Sequence, residues 1–327
     1  MKKMIACLLA VLMLTGIFTA CTNGNVSDGK KSDKLKIVCT IFPEYDWVKQ
    51  ILGSHAENTD LFMLLDNGVD LHSYQPTADD IINISTCDMF IYVGGESDAW
   101  VKDALKEATN NDMIVINLLE VLGNTVKEEE VKEGMDAEEE EESGEEESPE
   151  YDEHVWLSLK NAVTLCNVIS EKLCALDSEN ASDYKSNTDQ YVAALEDLDN
   201  QYQQTVDSAK QKTLLFGDRF PFRYLVDDYK LNYYAAFVGC SAETEASFET
   251  IAFLAGKVDE LGLSSIMTIE GTQHKLAQTI IQNTKTKNQQ ILALNSMQST
   301  TSKDVANGTT YLSIMEDNLS ILKIALN

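Results

Sequence analysis

Histidine is scarce in this chain, with four in 327 residues, so imidazole chemistry has few places to sit. Basic charge is in deficit: 25 Lys and Arg face 54 Asp and Glu, a formal net charge of −29. That balance argues against nucleic acid and anionic membrane surfaces as partners. The seven cysteines include no CxxC pair, so neither a disulfide framework nor a ribbon-type zinc site is expected. There is also no HExxH helix and no nucleophile elbow, which speaks against an enzyme, a zinc-dependent hydrolase included.

What is present begins with an address. Lys2 and Lys3 precede an apolar run from Ile5 to Phe18, followed by Thr19, Ala20 and Cys21. The run is too short for a stable transmembrane helix and fits an export signal over 1–21. Small residues ending at a cysteine resemble a bacterial lipobox, with Cys21 as the acylated mature N-terminus on the outer face of the cell membrane. Residues 22–34 hold Val26 as their one large apolar side chain and read as a flexible tether. Cys39, Cys87, Cys166, Cys174 and Cys240 each lie in or beside apolar segments and are expected to pack as small hydrophobes.

From Leu35 onward, short apolar runs alternate with amphipathic ones. Strands are expected at 35–42, 60–65, 89–94 and 113–118, with helices at 43–53, 77–84 and 98–109 between them. Trp156, Leu159, Val163, Cys166, Ile169 and Leu173 then follow helical spacing, and Tyr184, Tyr191, Leu195, Leu198 and Tyr202 continue it. Alternation resumes with strands at 213–217, 232–238, 265–270 and 290–295, and a last helix near 304–326. The pattern predicts an α/β chain of two lobes, 35–155 and 213–327, each a mostly parallel sheet flanked by helices. Linking helices over 156–212 form a spine between them. Parallel sheets present ligand groups at the carboxyl ends of their strands, and two lobes leave a crevice between them.

Between Lys127 and Glu153 lie 16 Asp and Glu against 2 Lys, about half of the chain's acidic excess. The segment has no apolar periodicity and is expected to be a disordered, solvated loop that at most scavenges cations weakly. His154 closes it, just ahead of the spine. His72 lies in LLDNGVDLHSYQPTADD, after one expected strand and before a helix that Thr77 and Asp80 would cap. The two histidines are 82 residues apart, so only the fold can bring them to one ion. His55 sits in an exposed-looking GSHAEN turn and His274 opens a helix after Gly271; both read as surface residues.

Four segments carry a resemblance: NGVDLHSYQPTADDI, YVGGESDAW, DEHVWLSLKNA and TYLSIMEDNL. In order and spacing they resemble the metal-binding lipoprotein components of bacterial ABC importers for zinc and manganese, over nearly all of 35–326. The resemblance implies a monomeric extracytoplasmic receptor that binds Zn²⁺, or Mn²⁺ next, and delivers it to a membrane permease. It implies His72 and His154 as ligands, and it commonly places a histidine-rich loop where this chain has its acidic run.

The remaining family ligands are less well matched. The third slot, read from LLFGDRFPFRYLVDDY, falls on Arg219, which cannot bind a cation; Asp218 next to it is the expected substitute. The fourth slot falls on Asn295, and Glu270 at the end of SIMTIE is a further acid that could serve the metal or Arg219. A surface adhesin with incidental metal is the alternative reading, and a zinc hydrolase a more distant one.

Overall fold

The structure is a computed structural model and describes residues 34–136, 150–241, 245–271 and 273–327. The expected signal, Cys21 and most of the tether lie outside these residues. Among the described residues, no helix is long and apolar enough to cross a membrane.

The first lobe runs β1 (Lys36–Cys39), α1 (Phe42–Leu52), β2 (Asp60–Met63), α2 (Ala78–Thr86), β3 (Met89–Tyr92), α3 (Val101–Ala104), β4 (Ile114–Asn117) and α4 (Leu118–Leu122). Its four strands are parallel in the order β2-β1-β3-β4. Ile37, Val38 and Cys39 are wholly buried, as expected of a strand covered on both faces. The spine is α5 (Leu159–Leu176) and α6 (Ala181–Ser208). The second lobe follows with β5 (Thr213–Phe220), α7 (Arg223–Asp228), β6 (Asn232–Val238), α8 (Phe248–Leu261), β7 (Ser265–Ile269), α9 (Lys275–Asn283), β8 (Gln290–Leu294), α10 (Ser302–Ala306) and α11 (Tyr311–Ala325). Its parallel order, β6-β5-β7-β8, repeats the first. Each sheet therefore reverses strand order between its first and third strands, where a crevice opens at the carboxyl ends.

One hydrophobic cluster runs through both lobes and the spine, taking in Ile37 and Phe90, Leu165 and Leu195, and Phe216 and Tyr311. A smaller cluster around Leu254, Val258 and Ile280 fills the far side of the second sheet. Buried polar ties reinforce the join. Asp46 of α1 accepts from the Tyr311 amide at 2.9 Å, and the Tyr311 hydroxyl donates to the Trp156 carbonyl at 2.7 Å. The Trp156 indole in turn donates to the Ser296 carbonyl beyond β8 at 2.9 Å.

Three expectations need correction. The helix expected over 98–109 is a short α3 followed by a 3₁₀ turn at Leu105–Glu107, because Asp98 instead folds back to accept from the Gly94 amide at 2.9 Å. The helix near 304–326 is two, α10 and α11, separated at Gly308, whose φ of 96° no helix tolerates. The acidic segment is not structureless at its flanks. Glu128 and Tyr151 form an antiparallel bridge, and Asp136 accepts from the Ser247 amide and the Thr250 hydroxyl at the start of α8. Order comes here from the second lobe, where Glu129, Glu130 and Asp136 find backbone or hydroxyl donors. Residues 137–149 lie outside the described residues.

Candidate metal centre

His72 stands in a single 3₁₀ turn, Leu71–Ser73, on the connection leaving β2. Asp70 caps that turn by accepting from the His72 amide at 3.0 Å. His154 occupies the first position before a second turn, Val155–Leu157, and Asp152 accepts from its amide at 2.9 Å. Both histidines are thus fixed by an aspartate two residues upstream. The fold closes the 82-residue gap: the two Nε2 atoms are 3.2 Å apart.

The other ring nitrogen of each histidine decides what those Nε2 atoms are. His154 Nδ1 lies 3.0 Å from Asp152 Oδ1, and a carboxylate can only accept, so Nδ1 carries the proton. His72 Nδ1 lies 2.7 Å from Ser97 Oγ. Glu153 lies on the same side of the ring: its Oε1 accepts from the Ser97 amide at 2.9 Å, and its Oε2, otherwise without a partner among the described residues, is 3.6 Å from His72 Nδ1. A carboxylate facing Nδ1 favours the proton on that nitrogen, which makes the Ser97 hydroxyl the acceptor. Both Nε2 atoms are left with bare lone pairs, facing each other.

Burial sharpens this. His154 is fully buried and His72 largely so. Desolvation, with the neighbouring His154, pushes the His72 pKa down to about 3, Arg219 adding to this and Asp70 opposing it. Burial would raise the Asp70 carboxyl, yet the Arg219 guanidinium, His72 and its hydrogen bonds hold it below the usual range. Two glycines make the crowding possible. A Cβ on Gly95, at φ 82°, would fall 2.3 Å from Glu153 Oε1. A Cβ on Gly239 would fall 2.9 Å from the Phe220 carbonyl and 3.0 Å from His154 Cε1.

A third potential donor meets the pair. Among the described residues, His72, His154 and Cys240 form the group of metal-capable side chains, with one ligand atom from each lying within 4.8 Å of the others. Cys240 follows Gly239 in the turn leaving β6, and its amide donates to Glu129 Oε1 at 3.1 Å. Burial, then Glu129, Asp152 and Glu153, raise its thiol far above the ordinary value. Read from sequence, Cys240 was a packing residue; its place after a glycine at a strand's carboxyl end was the signal available.

The other sequence candidates lie elsewhere. Asp218, Arg219 and Glu270 line a neighbouring cleft of about 790 Å³ together with Asp70 and His274. The β5 strand continues to Phe220 instead of ending at Gly217, with a pairing irregularity between Phe216 and Arg219. Asp218 consequently turns toward its own sheet, accepting from the Arg219 amide at 3.0 Å and the Ile269 amide at 3.3 Å. Arg219 reaches across to pair with Asp70 of the first lobe. Glu270 accepts from the Ser296 amide and hydroxyl at 2.6 and 2.8 Å. Asn295 Oδ1 accepts from the Met297 amide at 2.8 Å. His55 binds Asp183 at 2.9 Å on the surface.

Comparison with known proteins agrees with this architecture. Residues 37–325 match the family described as zinc-uptake complex component A, periplasmic. The zinc-binding lipoprotein AdcA of Streptococcus pneumoniae is 32% identical over 99% of this chain and 61% of its own length. This chain spans about three fifths of the AdcA relatives it matches, 62% for that of Streptococcus pyogenes. The high-affinity zinc uptake system protein ZnuA of Bacillus subtilis is 30% identical over 95% of this chain and 94% of its own. Among solved structures, the Zn(II)-bound ZnuA-like domain of Streptococcus pneumoniae AdcA superposes with a TM-score of 0.69 at 28% identity, covering 90% of this chain and 99% of that one. The metal-dependent lipoprotein YcdH of Bacillus subtilis superposes at 0.72 with 27% identity, covering 90% and 100%.

Proposed function

The chain belongs to the zinc-uptake component A family, and we propose that it is the extracytoplasmic receptor of an ABC importer, capturing Zn²⁺ between its lobes for delivery to the permease. The observation that carries this is the pair of Nε2 lone pairs 3.2 Å apart. Left alone they repel; a cation between them removes the repulsion. Two nitrogens bound to zinc at about 2.0–2.1 Å with a tetrahedral angle stand about 3.3–3.4 Å apart, so the spacing suits that ion with little adjustment. Imidazole nitrogen favours Zn²⁺ over the harder Mn²⁺. The protein acts by holding, not by turnover. Asp152 and Glu153 face the Nδ1 side of the two rings and favour the tautomer with Nε2 free, so that no proton has to leave an imidazole when the ion arrives.

The receptor acts as a monomer held to the outer membrane surface by lipid on Cys21. The test is metal content and affinity of the purified full chain, read by elemental analysis and competition with a chromophoric chelator. Zinc should bind at one tight site, and His72→Ala or His154→Ala should abolish it. A wild-type chain that takes up no zinc would end this reading. For the anchor, Cys21→Ser should release the protein from the membrane fraction and remove lipid labelling.

A further inference from the structure

Building on the receptor reading, we propose that Cys240 is the third ligand, making the centre two imidazoles and one thiolate. Position comes first. The Cys240 sulfur converges with both Nε2-bearing rings within 4.8 Å. The turn that carries it is drawn in by Gly239, which leaves no room for a Cβ against His154, and is pinned by the Cys240 amide on Glu129. The side chain thereby reaches the imidazole pair from the second lobe, while both histidines hang from the first.

Charge is the second argument. Two neutral imidazoles leave a divalent ion wholly uncompensated in a buried site. Asp152 and Glu153 are turned to the Nδ1 side of the rings, and Asp218, Glu270 and Asn295 are committed to backbone or hydroxyl donors. The thiolate is the anionic donor that meets the ion directly. On binding, the S–H bond breaks, a sulfur–metal bond forms, and the proton leaves to solvent. Sulfur also changes the preference of the site: a soft donor favours Zn²⁺ and Cd²⁺ and penalises Mn²⁺.

Cobalt substitution tests this, because Co²⁺ reports its ligands by absorption. Titrating the full chain with Co²⁺ should produce tetrahedral visible bands together with a near-ultraviolet sulfur-to-cobalt charge-transfer band. In Cys240→Ser the charge-transfer band should vanish while the visible bands persist, and zinc affinity should fall at least tenfold with manganese affinity little changed. Cobalt bound by the wild type without the charge-transfer band, or with a band that survives in Cys240→Ser, overturns the thiolate and leaves the histidine pair standing. A wild type that binds neither cobalt nor zinc overturns the receptor reading itself.

Discussion

At the scale of single residues, the centre depends on groups that never touch the ion. Asp152 holds the His154 ring and its amide with one oxygen. Asp152→Asn keeps the shape and loses the charge that makes the imidazole a better donor, so zinc affinity should fall about tenfold by competition titration with the fold intact. Gly239→Ala tests clearance instead of charge. Its methyl group collides with the Phe220 carbonyl and the His154 ring, so it should weaken zinc by tenfold or more, whereas alanine at the uncrowded Gly256 should change nothing. Equal affinities for the two alanine variants would mean the turn can retreat without moving the site. The histidines were legible in sequence because they are few, His72 lying after a strand and His154 between the acidic run and the spine helix. Cys240 was not, since a cysteine among apolar residues is usually just packing, and no spacing rule links it to residues 86 and 168 positions upstream. Asp218 stands apart from the histidine pair because a strand irregularity, invisible in sequence, turns it back onto its own sheet.

At the scale of elements, the first lobe holds a buried acid pair that links stability to pH. Glu44 in α1 accepts from the Thr40 amide and hydroxyl and the Ile41 amide through one oxygen, and its other oxygen is buried without a partner. Burial first, and then Asp98, push Glu44 up to about 8; burial likewise pushes Asp98 up to about 7. Both folded-state values lie above those of an unfolded chain, so the folded state holds extra protons between the two. Stability is fully present below the unfolded carboxyl value and falls as pH rises toward 8, by up to about 1.4 kcal/mol per pH unit for each group. Glu44→Gln should flatten that decline, seen as urea midpoints that change less between pH 6 and 8.5; parallel declines would exclude Glu44 as the source. The strands themselves were readable from their apolar runs. The run over 35–42 overreaches the observed Lys36–Cys39 by Leu35 at its start and, at its end, where the chain turns into the Thr40–Glu44 network. The ordered acidic flanks were unreadable, since their partners are on the other lobe: Asp136→Ala should cost about 1–2 kcal/mol in chemical denaturation by freeing Ser247 and Thr250.

At the scale of the whole molecule, a net charge of −29 surrounds a site that takes a cation. The field concentrates divalent ions near the surface, so the zinc association rate should fall steeply as salt is raised, by tenfold or more in stopped-flow measurements, while the dissociation rate moves little. A salt-independent association rate would show that entry, not encounter, is limiting. The fold also governs unloading. Helix α6 runs from Ala181 to Ser208, a rod about 42 Å long, and the core it joins is continuous from the first sheet to the second. Lobes that share one core and one long helix resist swinging apart as separate bodies. On the receptor reading proposed above, an ion is then let go donor by donor, as a knot is loosened one loop at a time. In the proposed centre the Gly239–Cys240 turn is what the second lobe contributes, against two histidines from the first. Lifting that one turn would leave the ion on two imidazoles alone, a weaker grip.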